Sequence, residues 1–448
     1  MYRNGLRALK AWKTNKRRKP LIVWGARQVG KTYLIKNIFA EEEFSGHYIY
    51  IDLKLEKEIN EYCMETVHPK EIISFISAIK NRRITKDTLL IFDEVQECLG
   101  ILTALKYFCQ DYREIPVIAT GSMVRTRMNR IAKKTNQGKE GTFLFPVGKI
   151  NQLTLYPMSF DEFLFNYNPG LFEQVKGAYE KRMPLEPHMH ALAMDILYKY
   201  LLVGGMPEAV EAFLETEEYY ESGQILKDLY DNYLADMELY QASSESILRS
   251  RKIFENIYME LNKENKNFKC SVIEKGLRNR DLQNPMDWLE TACVVNRSYL
   301  LNERITLPLR PDNESIYRLY LADIGMFTYQ SGLNAASFLM KNKRNALAGI
   351  FFENYVANEL VAKGHKLFFW KGRSSAEMEF VAESKGEFYP IDVKRGRASL
   401  NSLKKYREHN PCVYAVKVSE NNFGFNREQG ILTLPLYSFF LWAENGYE

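Results

Sequence analysis

The chain has 448 residues, of which 46% are hydrophobic and 26% are charged, and tyrosine (28) and phenylalanine (26) are plentiful. This composition is typical of a folded globular protein rather than a disordered one, and the length predicts about three domains. The sequence has no apolar run of the roughly 18 residues that a membrane helix needs, and its first residues lack an apolar signal core. We therefore expect a cytoplasmic protein with no membrane partner.

The cysteines and the basic residues restrict the function further. Six scattered cysteines without CxxC spacing predict reduced, buried thiols rather than a disulfide or zinc framework, and His188 and His190 are predicted to be packed or solvent-facing. Net charge is only +5, but residues 1–40, 125–139 and 394–407 hold eleven, six and six Lys/Arg with no acidic residue. Such runs indicate either anion-binding surfaces or solvated faces.

A short apolar run at residues 21–24 is followed by GARQVGKT, which fits the P-loop pattern GxxxxGK[ST] at every fixed position. In this motif, backbone N–H groups surround phosphate oxygens, the lysine reaches the β- and γ-phosphates, and the hydroxyl binds Mg²⁺. The motif therefore predicts a binding site for ATP or GTP. The predicted nucleotide-binding residues in the loop are Gly25, Ala26, Arg27, Gln28, Val29, Gly30, Lys31 and Thr32.

Two later apolar runs end in polar residues that suit the same site. Residues 88–96 read as a buried strand that ends in Asp93, predicted to help hold Mg²⁺, and Glu94, predicted to polarise the attacking water. The next strand ends near Thr120 and Ser122, either of which could contact the γ-phosphate. Glu94 and Lys31 are therefore the predicted catalytic residues for hydrolysis.

Strands that alternate with helices predict an α/β domain with an open parallel sheet. A guanine-reading segment of the NKxD type is missing from the expected region, so we favour ATP over GTP.

With YPMSFDEF (156–163) and YLLVGGMPEAV (200–210), the chain resembles a prokaryotic family of AAA-type ATP-binding proteins along essentially its whole length. The resemblance implies a P-loop ATPase followed by a winged-helix segment and a C-terminal nuclease-like domain. The expected boundaries are 1–165 for the ATPase core, 166–243 for a helical lid, 244–345 for the winged helix and 346–448 for the nuclease-like domain.

One dipeptide departs from the family pattern. The family usually has Gly-Arg before the strand that leads to PxSFxEF, where the arginine suits contact with phosphate in a neighbouring subunit, and here Gly148-Lys149 stands in its place. Lysine supplies charge but lacks the planar fork of a guanidinium. The residues that could substitute for it are Arg125, Arg127 and Arg130.

Residues 244–328 read as helix, turn, helix and a short hairpin, the order of a winged helix. Such folds bind DNA or serve as dimerisation modules. Lys275, Arg278 and Arg280 lie in or just before the possible recognition region, which favours DNA.

The C-terminal region resembles a PD-(D/E)xK nuclease core. Asp392 and Lys394 lie on one face of a predicted strand because side chains repeat every two residues, and Glu379 and Glu353 add carboxylates from another strand and a helix. The three carboxylates are predicted metal ligands, while Glu379, Asp392 and Lys394 are the predicted catalytic set. In such nucleases the first strand carboxylate is usually Asp and the second is often Glu, whereas here they are Glu379 and Asp392. Each side chain therefore differs in length from the usual one by one methylene.

Together these features predict a homo-oligomeric, ATP- and Mg²⁺-dependent ATPase that acts on or near nucleic acid, with DNA as the expected partner. The main alternative is a nucleotide-dependent switch or scaffold whose C-terminal domain is a non-catalytic docking module. A small-molecule kinase is a third interpretation, for which the chain lacks an evident acceptor site.

Overall fold

The computed structural model describes residues 1–122, 145–241, 243–333, 335, 344–372, 376–394 and 401–446. The chain forms two compact units. The first comprises Tyr2–Tyr156 with Thr291–Cys293, and the second comprises Met1, Pro157–Glu290 and Val294–Glu448. The predicted lid, winged-helix and nuclease-like segments therefore lie largely within one compact unit. No helix in the described ranges is long and apolar enough to cross a membrane.

The first unit alternates strands and helices, as predicted. Its elements are α1 (Gly5–Thr14), β1 (Leu21–Trp24), α2 (Tyr33–Ala40, wound as a π-helix), α3 (Glu41–Phe44), β2 (Tyr48–Asp52), α4 (Lys57–Glu65), α5 (Pro69–Ile79), β3 (Leu89–Asp93), α6 (Leu99–Asp111), β4 (Val117–Gly121) and β5 (Asn151–Thr154).

The five strands of the first unit form one parallel sheet in the order β2-β3-β4-β1-β5. Every residue of β3 and β4 is buried, as expected for strands covered on both faces. Because all strands run in the same direction, their carboxyl ends share one edge of the sheet. Strand β4 lies between β1 and β3, which brings the residues that follow these three strands close together.

The second unit begins with a helical region and continues into two sheets. Its helices are α7 (Phe160–Tyr167), α8 (Pro169–Glu180), α9 (Pro187–Val203), α10 (Pro207–Thr216), α11 (Tyr219–Tyr240), α12 (Ser244–Glu255), α13 (Ile257–Leu261), α14 (Asn279–Thr291), α15 (Ile324–Gln330), α16 (Arg344–Ala362), α17 (Asn401–His409) and α18 (Phe439–Asn445). Its strands are β6 (Val295–Leu300), β7 (Tyr317–Leu321), β8 (Leu367–Lys371), β9 (Glu377–Met378), β10 (Phe380–Ser384), β11 (Glu387–Val393), β12 (Ala415–Ser419), β13 (Gly424–Asn426) and β14 (Ile431–Pro435).

The two motifs that carry much of the family resemblance bind each other in the second unit. The Met158 N–H donates to the Gly205 carbonyl at 2.6 Å, and the Tyr200 hydroxyl donates to the Met158 carbonyl at 2.7 Å. A β-carbon on Gly205 would come within 2.1 Å of that carbonyl oxygen, so only glycine allows this approach. Buried Asp323 accepts the Gly205 N–H at 2.7 Å. These motif residues therefore organise the fold of the second unit.

The predicted hairpin of residues 293–321 is present as antiparallel β6 and β7, but β6 also pairs in parallel with β8. The hairpin is therefore part of a four-stranded sheet in the order β7-β6-β8-β9. The preceding helical sequence breaks at Asn256 into α12 and α13, and α14 starts at Asn279, ahead of the Asn284-Pro285 start that the sequence suggested.

A five-stranded sheet in the order β10-β11-β12-β14-β13 forms the C-terminal part. Strand β11 is antiparallel to β10 and parallel to β12, with α17 between β11 and β12 in the chain. Glu379 lies at the break between β9 and β10, within what the sequence presents as one strand. This break places Glu379 beside the end of β11.

Candidate nucleotide site and carboxylate cluster

The P-loop connects β1 to α2 through backbone conformations that favour glycine. Gly25 has φ +152° and Gly30 has φ +84°, and Gln28 is also left-handed at φ +59°. A β-carbon on Gly25 would lie 2.2 Å from the Leu155 carbonyl oxygen. The loop is held from outside by buried Arg3, whose guanidinium donates to the Val29 carbonyl at 3.1 Å.

Lys31 is buried within its own loop. Its ammonium donates to the carbonyls of Gly25 at 3.0 Å and Ala26 at 2.7 Å. Burial lowers the pKa of Lys31, an effect that the nearby carboxylates of Glu94 and Asp93 oppose. The side chain of Lys31 is therefore close to both predicted acidic residues.

Asp93 ends strand β3 and accepts hydrogen bonds on both carboxylate oxygens. Its Oδ2 accepts the Thr32 hydroxyl at 2.7 Å and the Tyr50 hydroxyl at 2.8 Å. Its Oδ1 accepts the backbone N–H of Glu94 at 2.9 Å and the hydroxyl of Thr120. The contact between Thr32 and Asp93 joins the two residues that the sequence assigned to Mg²⁺.

Glu94 follows Asp93 in a left-handed conformation, at φ +53°. This turn ends the strand, and one Glu94 carboxylate oxygen accepts a hydrogen bond from the Gln96 side-chain amide. Ser122 lies buried just after β4, whereas the hydroxyl of Thr120 is bonded to Asp93. Ser122 is therefore the better placed of the two to contact a phosphate.

Hydroxyl and carboxylate oxygens are the ligands that Mg²⁺ prefers, and the ion usually keeps several waters and takes phosphate oxygens when bound with a nucleotide. Thr32 and Asp93 fit this requirement. Among the described residues, no group of three or more His, Cys, Asp or Glu could hold a metal by itself. The donor set therefore suits a metal that arrives with its nucleotide.

The residues proposed for contact with a neighbouring subunit are only partly described. Lys149 is half-buried, and the carbonyl of Gly148 accepts the Lys19 ammonium at 2.7 Å. Arg125, Arg127 and Arg130, with the rest of the basic run 125–139, lie outside the described residues.

The second unit brings the C-terminal carboxylates together with lysines. Lys394 Nζ lies 2.6 Å from Glu379 Oε1 and 3.1 Å from Asp392 Oδ1. The second distance is expected, because Asp392 and Lys394 are two residues apart along the strand direction and so point to the same side. Glu353, on α16, is paired with Lys266, which lies between α13 and α14. We call Lys266, Glu353, Glu379, Asp392 and Lys394 the lysine–carboxylate cluster.

Burial and mutual charge shift the pKa values in this cluster. Burial, with the nearby charge of Glu379, raises the pKa of Asp392 to about 7. Burial also raises the pKa of Glu353, against the effect of Lys266. For Glu379 the two lysines, Lys394 and Lys266, outweigh burial and hold its pKa below the usual value. The lysines thus supply positive charge that a metal would otherwise supply.

The cluster does not fit a divalent cation as it stands. Each of its carboxylates is paired with a lysine ammonium, and the described residues contain no metal-binding group of three. Two buried oxygens of the cluster, Oε2 of Glu353 and Oδ1 of Asp392, have no hydrogen-bond partner, although the latter lies 3.1 Å from Lys394 Nζ. The fold therefore places the predicted residues together without forming a metal site.

The remaining candidate residues are the cysteines, two histidines and three basic residues. All six cysteines carry free thiols, of which Cys63, Cys98 and Cys109 are buried and the other three are half-buried. His188 is exposed, and His190 Nδ1 lies 2.8 Å from the Tyr437 hydroxyl, so the pair is solvent-facing and packed, respectively. Lys275 and Arg278 precede α14 and Arg280 lies in its first turn, and all three are exposed.

The sequence predicted the loop and strand-end residues but gave no prediction for four residues that contact predicted site residues in the structure: Arg3, Tyr50, Gln96 and Lys266. A partial signal existed for Tyr50, because alternation along β2 places it on the same side as Asp52, and β2 neighbours β3. For Lys266, which lies outside regular structure, the sequence offers no comparable signal.

Residues 17–164 match the family model of an AAA domain. Residues 194–337 and 348–439 match two models described as domains of unknown function, DUF8612 and DUF4143, which assign no activity to the C-terminal half. The match over residues 17–164 defines an ATP-binding domain of the AAA-type ATPases. No curated protein matches the chain.

Solved structures that are similar to this chain include the following three. The Walker-type ATPase of Pyrococcus abyssi is 18% identical, with a TM-score of 0.42, over 73% of this chain and 94% of that one. AMPPCP-bound DnaA from Aquifex aeolicus is 14% identical over 65% and 89%, and the Aeropyrum pernix ORC1 protein in complex with DNA is 13% identical over 73% and 90%; both have a TM-score of 0.27. At these TM-scores the similarities carry no argument about function.

Proposed function

We propose that the first unit binds ATP with Mg²⁺ at Gly25–Thr32 and hydrolyses it. The observation that carries this proposal is the bonded pair of Thr32 and Asp93 beside the buried ammonium of Lys31. Backbone N–H groups of the loop and Lys31 would bind the phosphates, and Thr32 with Asp93 would hold Mg²⁺, which neutralises phosphate charge when bound.

Glu94 is the proposed general base. It is next to Asp93 at the strand end, and Gln96 fixes one of its oxygens while the other is left to orient a water toward the γ-phosphate. Ser122, buried after β4, would contact the γ-phosphate.

Replacement of Lys31 by alanine tests the site assignment. The variant should lose nucleotide binding and ATP turnover, because the charge that offsets the phosphates is removed. Retention of the normal hydrolysis rate by Lys31→Ala would refute the assignment. The matched control is Lys86→Ala, since Lys86 is an exposed lysine of the first unit that precedes β3, whereas the site lies at the carboxyl end of that strand.

We also propose that this ATPase acts on or near DNA, as a homo-oligomer in the cytoplasm. The order α12, α13, α14 and the β6–β7 hairpin is that of a winged helix, and exposed Lys275, Arg278 and Arg280 could contact phosphates. ATPase activity measured with and without single- and double-stranded DNA tests this proposal. Stimulation that weakens steeply with salt supports it, because phosphate contacts release counterions.

The C-terminal region is proposed to have a nuclease-like fold, and its activity depends on the lysine–carboxylate cluster. Cleavage of DNA or RNA that requires Mg²⁺ or Mn²⁺ and disappears in Asp392→Ala would support a nuclease. No cleavage of any DNA or RNA form by the wild-type protein would reject it.

The alternative is a nucleotide-dependent switch with a non-catalytic C-terminal docking module. The ion pairs of Lys266 and Lys394 favour this alternative, because two positive charges already offset part of the negative charge of Glu353, Glu379 and Asp392. Size-exclusion chromatography with and without ATP, together with a DNA titration, separates the two. Nucleotide-dependent assembly without DNA affinity would favour the switch.

A further inference from the structure

Tyr50 contacts the proposed Mg²⁺ site although it belongs to neither sequence motif. It lies on β2, and its hydroxyl donates to Oδ2 of Asp93 at 2.8 Å, the same oxygen that accepts the Thr32 hydroxyl at 2.7 Å. Strands β2 and β3 are neighbours, with Asp52 opposite Asp93 in the register. Tyr50 therefore reaches Asp93 along the strand direction.

The ring of Tyr50 is itself held in place. The ammonium of Lys36 lies 4.4 Å from the ring centroid, a cation–π distance. Lys36 is four residues after Thr32, so both lie on one side of the helix that follows the P-loop. Thr32, Lys36, Tyr50 and Asp93 thus form a connected group between α2 and the sheet.

Asp93 has a limited number of positions for hydrogen bonds. A carboxylate offers about four lone-pair sites. Here Thr32 and Tyr50 use Oδ2, while Thr120 and the Glu94 N–H use Oδ1. The carboxylate orientation is therefore set at once by residues on β2 and β4, by the residue that follows β3 and by the last residue of the P-loop.

Tyr50 can act only as a donor in this group. Burial and the hydrogen bond to Asp93 raise the pKa of Tyr50 above its usual value, which agrees with a phenol O–H that donates to the carboxylate. Outer hydrogen-bond partners of this kind orient the residues that hold a metal, and their loss typically costs about 10- to 100-fold in metal affinity or activity.

We propose that Tyr50 is a positioning residue for Mg²⁺, acting through its hydrogen bond to Asp93. The inference rests on the proposed ATP site. It predicts that Tyr50 affects the metal dependence of the site rather than its affinity for the metal-free nucleotide, because the phenol contacts the carboxylate and the P-loop contacts the phosphates.

The test compares Tyr50→Phe with Tyr48→Phe. Tyr48 lies two residues earlier on the same strand, and its hydroxyl donates at 2.9 Å to exposed Glu41 instead of Asp93. Both changes remove one phenolic oxygen and keep the ring, so both variants should fold. Thermal unfolding without nucleotide identifies the temperature at which wild type and variants are all folded, and all titrations are made there.

Binding of a fluorescent ATP analogue is measured in EDTA and across a Mg²⁺ titration, and Mn²⁺ affinity in the presence of ADP is measured by electron paramagnetic resonance. We expect Tyr50→Phe to raise the half-saturating Mg²⁺ and Mn²⁺ concentrations about tenfold or more, with binding in EDTA unchanged. Tyr48→Phe should match the wild type in all three measurements.

An unchanged metal dependence in Tyr50→Phe overturns the inference. An equal loss of nucleotide affinity in EDTA also overturns it, because Tyr50 would then support the loop in general. Failure of the proposed function looks different: the wild-type protein itself would not bind the nucleotide with or without Mg²⁺.

Discussion

Asp93 in the first unit and Glu353 in the second are both buried carboxylates at proposed metal positions, but their partners differ in charge. Asp93 accepts hydrogen bonds from hydroxyls and a backbone N–H, which are neutral donors. Glu353 is paired with the ammonium of Lys266. A carboxylate with neutral partners keeps its negative charge available to a cation, whereas one paired with lysine is already neutralised. The two buried carboxylates therefore differ in their capacity to bind a cation.

The largest effect is expected at Glu94. Replacement by glutamine keeps the side-chain shape and removes the base, so turnover should fall about 10²- to 10⁴-fold while ATP affinity is retained. Single-turnover hydrolysis and equilibrium nucleotide binding measure the two quantities separately.

Glu97→Gln, three residues later in the same turn, is the matched control and should hydrolyse ATP normally. If Glu94→Gln also loses nucleotide binding, the residue supports the fold of the site rather than the chemistry.

Replacement of Lys266 by methionine should destabilise the second unit by about 3–5 kcal/mol, because Glu353 would remain buried without its cation. The side chains of Lys266 and Glu353 are only 19% and 5% exposed. Urea unfolding measures the loss. The double variant Lys266→Met/Glu353→Gln should recover much of it, since neither side chain is then charged.

Lys269→Met, at an exposed position in the same segment, is the control and should have little effect. If lysine pairing is what separates the cluster from the nucleotide site, Mn²⁺ should bind Lys266→Met more tightly than wild type. Equal Mn²⁺ binding by both proteins would break the comparison.

These residues also show what sequence can and cannot predict. The P-loop and the strand ends follow from local spacing, and a parallel sheet then brings Thr32 and Asp93 to one edge. The pairing of Lys266 with Glu353 joins positions 87 residues apart, one of them outside regular structure. Such contacts depend on side-chain packing across the whole unit, which periodicity along the chain does not encode.

The start of α14 shows that packing also limits prediction from sequence over a short stretch of chain. Pro285 suggested that a helix begins near residue 284, since proline favours the first turn. The observed helix begins at Asn279 and contains Pro285. Pro285, Met286 and Leu289 are buried, and this tertiary packing outweighs the local preference.

Glu359 lies on the same helix as Glu353 and is a third buried carboxylate, with a raised pKa. Burial, together with Asp161 and against the effect of Lys363, raises the pKa of Glu359 to about 8. Other groups that face it are Glu162, Tyr200 and Tyr355. The folded state therefore retains a proton that the unfolded chain releases near pH 4.3, so this contribution to stability is lost as pH rises from about 4 to about 8.

Glu359→Gln should flatten this decline, whose slope for one proton is at most about 1.4 kcal/mol per pH unit. Glutamine is uncharged at every pH and keeps an oxygen to accept the Phe160 N–H, which Glu359 accepts at 2.7 Å. Urea unfolding at pH 5, 6, 7 and 8 gives the slope for both proteins. Parallel slopes would show that Glu359 does not titrate in this range.

The smallest effect is expected at Thr120, whose hydroxyl is one of several neutral donors to Asp93. Thr120→Val keeps the volume and removes one hydrogen bond, which should cost about 1–2 kcal/mol in unfolding free energy, less than the loss of Lys266. Thr120→Ser keeps the hydroxyl and serves as the control for the methyl group. A loss as large as that of Lys266→Met would mean that Asp93 depends on its neutral donors as strongly as Glu353 depends on its lysine. A small loss shows instead that Thr32, Tyr50 and the backbone still hold Asp93 in place. Neutral donors of this kind orient the carboxylate and leave its negative charge for a cation.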